Sequence, residues 1–110
     1  MSYNVKIADN FKKEAKKLLK KYVSLKKELA ELFLELEVNP SKGTPLGKNI
    51  YKIRLAITSK NKGKSGGARL ISFVKVVDGD VYLLSIYDKG ERDSISDREI
   101  KEILKSEGLL

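Results

Sequence analysis

Apolar and polar residues alternate from Tyr3 to Ile7 (YNVKI), the period of a short strand. From Asp9, placed to cap a helix, the spacing changes: Phe11, Ala15, Leu18, Leu19 and Tyr22 recur at helical intervals, with lysines on the other faces. Ser24 is placed to cap a second helix. Its stripe is Leu25, Leu29, Leu32, Phe33 and Leu36, and it ends at the breaker Asn39-Pro40. A residue or two separates the two patterns, which predicts a helical hairpin.

The segment 40–49 (PSKGTPLGKN) holds both prolines and two glycines and reads as a loop. Residues 51–57 (YKIRLAI) alternate again, with Tyr51, Ile53 and Leu55 on one side and Lys52 and Arg54 on the other. A glycine-rich stretch follows, then strands over 68–77 and 81–87 joined at Asp78-Gly79-Asp80, a hairpin signal. A last helix opens on Ser96-Asp97-Arg98-Glu99, a capping box, turns Ile100, Ile103 and Leu104 inward, and meets Gly108 at its end. The order β-α-α-β-β-β-α predicts an α+β fold, an antiparallel-rich sheet with the helical hairpin packed on one face.

The glycine-rich stretch, SKNKGKSGGARL from Ser59 to Leu70, contains Gly63-Lys64-Ser65. A mononucleotide-binding loop needs a glycine five positions earlier, and it leads from a strand into a helix. Position 58 is threonine and a strand follows, so that reading is rejected. What remains is a long basic connection between two antiparallel strands.

Charge sharpens the picture. The chain carries a net +8, yet no acidic residue falls between Glu37 and Asp78, where nine lysines and arginines lie. The remaining residues hold 14 basic against 15 acidic groups, so the central block carries the whole excess. A field so concentrated suits a polyanion, nucleic acid before anionic membrane. With 110 residues, one compact domain over 1–110 is expected. Cysteine and histidine are both absent, so no disulfide, thiolate nucleophile or histidine base is expected, nor a metal site or cofactor. No signal-peptide or membrane-spanning run is evident, which makes the cytoplasm the expected location.

The period of two also assembles a candidate site. With Ile53, Leu55, Leu70, Val74, Leu84 and Ile86 packed under the helices, Lys52, Arg54, Arg69 and Tyr87 converge on the opposite face of the sheet. Three cations beside a phenol repel one another unless an anion sits among them.

The run Tyr51-Lys52-Ile53-Arg54-Leu55, the loop from Lys62 to Arg69, the strand from Val81 to Ile86 and the turn Tyr87-Asp88-Lys89-Gly90-Glu91-Arg92 together resemble the RelE/ParE superfamily of bacterial toxin-antitoxin toxins, and its HigB-like members most. The resemblance spans nearly the whole chain. It implies a ribosome-dependent endoribonuclease (mRNA interferase) that cleaves messenger RNA by attack of a ribose 2′-OH on the adjacent phosphate. It also implies three partners: a cognate antitoxin, the ribosome and mRNA. By position, Arg69 and Arg54 match phosphorane-stabilising cations, Tyr87 a base-stacking or proton-transferring group, Lys52 a candidate base and Lys89 a candidate acid. Lys48, Lys60, Lys62 and Lys64 match RNA-phosphate contacts. Some relatives use histidine or a carboxylate, and the carboxylates nearby here are Asp88, Glu91 and Asp93, so the acid and base roles stay open. Two other functions stay open on the same fold: a ParE-like inhibitor of DNA gyrase, and a non-catalytic RNA-binding module.

Overall fold

The computed structural model describes residues 2–60 and 66–110. The opening pattern forms β1 (Asn4–Ile7), and the two amphipathic stripes form α1 (Asp9–Lys21) and α2 (Leu25–Val38). The chain then makes β2 (Thr44–Gly47), β3 (Ile50–Leu55), β4 (Ala68–Lys75) and β5 (Asp80–Asp88), and closes with α3 (Asp97–Ser106). The five strands form one sheet in the order β1-β5-β4-β3-β2. β1 runs parallel to β5 and every other pair is antiparallel. The α+β order is the expected one with one strand added.

That strand, β2, lies inside the segment read as a loop. Lys48 and Asn49 form the two-residue turn between β2 and β3, both left-handed at φ 54° and 64°, as a tight hairpin requires. Pro45 disguised the strand. At the sheet edge its missing N–H is no handicap.

Two expected helix caps also differ. Ala8, not Asp9, occupies the N-cap of α1, and the Asp9 amide donates to Glu107 Oε2 at 3.0 Å. Asp9 instead places its charge in the first turn, where the helix dipole favours an anion. Ser24 caps no amide of its own helix; it exchanges hydrogen bonds with Ser59, tying α2 to the chain beyond β3. The capping box at Ser96 forms as expected, with the Glu99 amide donating to Ser96 Oγ at 3.1 Å.

Two apolar layers flank the sheet. Ile53, Leu70, Leu83 and Ile86 pack against Phe11, Leu18, Leu25, Leu32 and Leu36 of the helical hairpin. On the other face Ile71 and Leu84 pack against Ile100 and Leu104 of α3. Leu84 was expected under the hairpin. The β4–β5 ladder pairs Ile71 with Ser85 but Ser72 with Leu83, so Leu84 is an extra residue, and the bulge turns it to the α3 side. The face opposite the hairpin is therefore covered by α3 over part of its length, which confines the basic cluster to the end near Arg54.

Candidate active site

Register places the site. Arg54 of β3 pairs with Arg69 of β4, and Arg69 pairs with Tyr87 of β5, so the three form one row across three strands. Lys52 lies two residues from Arg54 on the same side of β3, opposite Ile71. Arg54 is exposed, Lys52 half-buried, and Arg69 and Tyr87 buried. Glycine makes the approach to this row possible. A Cβ on Gly67 would lie 2.2 Å from the Leu55 carbonyl oxygen, and the Gly67 carbonyl accepts from the Lys89 amide at 3.0 Å. Gly67 thus fastens the start of β4 between the end of β3 and the segment leaving β5.

The row is polar and partly dry. Arg69 Nη1 donates to the Ala68 carbonyl at 3.2 Å. The Tyr87 hydroxyl is buried and meets no hydrogen-bond partner among the described residues. Burial pushes the Tyr87 phenol above its ordinary value, against the opposing pull of the Arg69, Lys89 and Arg92 charges. The hydroxyl therefore keeps its proton at neutral pH and can only donate or share it. Lys52 and Arg54 make no ion pair among the described residues, although Arg54 shares a cavity wall with Glu28, Glu31 and Glu35 of α2.

The turn after β5 closes over this row. The Arg92 guanidinium lies 5.7 Å from the Tyr87 ring centroid and is held there by both Glu99 oxygens at 2.5 Å. That bond pulls the Glu99 carboxyl below its ordinary value. Lys89 donates to Asp93 Oδ1 at 2.6 Å and to the Asp93 carbonyl at 3.2 Å. Asp93 is held low by Lys89 first and by the charge of Lys52 as well, which puts a carboxylate within electrostatic reach of the basic row. Sequence reasoning named Asp93 only as a nearby acid and gave Arg92 no role. The signal for both was the dense alternation of charge from Asp88 to Asp93 directly after a strand.

The lysines named for RNA contact fare differently. Lys60 turns inward rather than toward an RNA. Its ammonium bonds Asp88 Oδ1 at 2.5 Å and the Gly66 carbonyl, and lies 5.6 Å from the centroid of the Tyr22 ring. Asp88 also accepts from the Tyr22 hydroxyl at 2.6 Å and from the Gly90 amide at 2.8 Å. Burial alone would push the Asp88 carboxyl up; the bonds from Lys60, Tyr22 and Gly90 outweigh it and hold the group below its ordinary value. A buried carboxylate requires such a counter-charge, and this is what draws Lys60 in. Lys48 is exposed at the β2–β3 turn, six residues from Arg54, about 20 Å along the strand. Lys62 and Lys64 lie outside the described residues.

Arg54, Arg69, Tyr87 and Lys52 are thus brought together as expected, Lys89 joins them through Asp93, and Lys60 and Lys48 do not. A guanidinium pair beside a neutral phenol is suited to bind a phosphodiester, stabilise added negative charge and supply a proton.

Comparison with known proteins bears on the fold and the family. Among solved structures, a mutant of the E. coli toxin RelE in the free state matches with a TM-score of 0.61 at 18% identity, covering 96% of this chain and 98% of that one. At that identity the likeness establishes the fold. The family model described as the RelE toxin of the RelE/RelB toxin-antitoxin system matches residues 5–108, and the chain therefore belongs to the RelE toxin family.

Proposed function

We propose that this chain, acting as one toxin domain over 1–110 in the cytoplasm, is an endoribonuclease that cleaves messenger RNA on the ribosome. It is held in check by an antitoxin, the partner its family implies. The observation that carries the reading is the Arg54–Arg69–Tyr87 row, with a buried hydroxyl that meets no partner among the described residues. An inhibitor that binds only a protein surface has no use for a phosphate clamp of this kind.

In this reading the scissile phosphate sits on Arg54 and Arg69. The ribose 2′-oxygen attacks phosphorus as its proton passes to a base, Lys52 being the candidate on the same strand face. The P–O5′ bond breaks, leaving a 2′,3′-cyclic phosphate and a 5′-OH. The two guanidiniums bear the charge of the phosphorane, so the step uses no metal or cofactor. Lys89 was the first candidate for the proton donor. Its ammonium is engaged by Asp93, and the neutral Tyr87 hydroxyl, which lies in the row itself, is the candidate donor to O5′ in this reading. Lys48, Lys62 and Lys64 contribute phosphate contacts without reading sequence.

Primer extension on a reporter message, with and without ribosomes, tests this. New 5′ ends that need ribosomes and disappear in Arg69→Ala and Arg54→Ala support it. Growth arrest with the message intact sinks it and sends the question to gyrase supercoiling. Arg69→Lys separates an enzyme from a non-catalytic binder: a lysine keeps the charge but not the two-point fork, so cleavage falls much more than RNA binding.

A further inference from the structure

β1 stops at Ile7, opposite Leu83, and the Ala8 amide donates to the Leu83 carbonyl. From Leu84 onward β5 has no neighbouring strand on that side, and this open edge begins at the bulge. Two side chains of α1, one helical turn apart, take the place of the missing strand. Asn10 Nδ2 donates to the Leu84 carbonyl at 3.1 Å and to Glu14 Oε1 at 2.9 Å. The same Glu14 oxygen accepts from the fully buried Ser85 hydroxyl at 2.7 Å and from the Ile86 amide at 3.2 Å. One carboxylate oxygen receiving three donors is an arrangement that an anion suits.

The bulge decides which side chain of β5 meets Arg69. From Asp80 to Leu83 the strand pairs with β4 in one register, and from Ser85 to Asp88 in a register shifted by one residue. If the first register ran on unshifted, Arg69 would face Ile86, and Tyr87 would turn to the side of the helical hairpin. We propose that Glu14 is a positioning residue of the active site: its carboxylate pins the bulge of β5, and the bulge is what sets the Tyr87 phenol beside Arg69. The proposal rests on the ribonuclease reading for what Tyr87 does in the row, and not for where Tyr87 stands. Glu14 acts from outside the row, through the backbone at Ile86, so its loss is felt in the turnover of bound RNA rather than in the binding of phosphate.

Glu14→Ala and Glu14→Gln, read by NMR and by cleavage kinetics, test this. In Glu14→Ala the cross-strand NOEs between Arg69 and Tyr87 weaken, and the Ile86 amide exchanges with solvent about tenfold faster or more. Its kcat falls about thirtyfold while KM stays within about twofold. Glu14→Gln keeps an acceptor oxygen for the Ile86 amide and recovers most of both. On a Tyr87→Phe background Glu14→Ala costs nothing further, because the phenol through which it acts is already gone. Unaltered NOEs in a folded Glu14→Ala protein, a loss of kcat that persists in full on Tyr87→Phe, or no recovery by Glu14→Gln would each overturn the proposal. Should Glu14→Ala not fold, Asn10→Ala, which removes the donor to the Leu84 carbonyl, is expected to show the same changes in smaller measure, and unaltered NOEs there count against the proposal equally. Failure of the ribonuclease reading leaves wild type and variants alike without cleavage, and the NOEs and exchange rates then decide the positioning role alone.

Discussion

Arg69 and Tyr87 are direct partners in the β4–β5 ladder, and each is only 5% exposed. A buried phenol whose oxygen meets no partner among the described residues is a costly arrangement for stability alone.

Tyr87→Phe separates stability from chemistry. Removing a buried hydroxyl that has no partner among the described residues leaves the fold unchanged or stabilises it by about 1 kcal/mol. Loss of the proton donor lowers cleavage by about a hundredfold or more. Urea denaturation and a ribosome-dependent cleavage assay on the same preparation check both. A stability loss matching the activity loss would show the hydroxyl to be structural.

Lys60 belongs to the scaffold. Lys60→Met strands the Asp88 carboxylate beside Tyr22 and costs about 3 kcal/mol, measured by denaturant midpoint. Lys60→Met with Asp88→Leu recovers part of that loss, because no uncompensated charge is left buried. If Lys60→Met left stability intact and weakened only RNA binding, Lys60 would be a surface contact after all.

The same network sets an acid limit. The Asp88 carboxyl lies below its ordinary value of 3.8 in the folded chain, so its contribution to stability is fully present above that pH and is lost as pH falls through the lower folded value. Asp88→Asn is therefore expected to flatten the stability profile below about pH 4 while lowering stability at neutral pH. Thermal unfolding between pH 2 and 7 reads both limbs, and an unchanged acid limb would remove Asp88 as its source.

Asp93 is exposed but lies within reach of the charge of Lys52. Asp93→Asn removes the carboxylate that engages the Lys89 ammonium, so the field over the row becomes more positive and RNA is expected to bind about twofold to fivefold more tightly at low salt. Filter binding across a salt series checks this, and unchanged affinity would show that Asp93 has no bearing on the row.

Gly67 is fixed by contact rather than by backbone angle. Gly67→Ala places a methyl 2.2 Å from the Leu55 carbonyl oxygen, so β3 and β4 must separate beside Arg54 and Arg69. The expected cost is about 1 to 3 kcal/mol, with cleavage falling further than stability explains. Cleavage at the wild-type rate in a folded Gly67→Ala protein would show that the row tolerates such a shift.

The sequence by itself determined the elements other than β2, and one face of the sheet. Helical spacing marked α1, α2 and α3, and strict alternation put Lys52 and Arg54 on the side opposite Ile53. These are local periodicities, set by the geometry of each element alone. Tertiary structure decided what local periodicity does not encode. The bulge at Leu84 turns a core residue to the other face, because register depends on two strands rather than one. Asp88 draws in Lys60, because a buried carboxylate takes the nearest cation that can reach it. And the Arg69–Tyr87 pairing, with Arg92 laid over the ring by Glu99, joins segments whose sequences say nothing of each other.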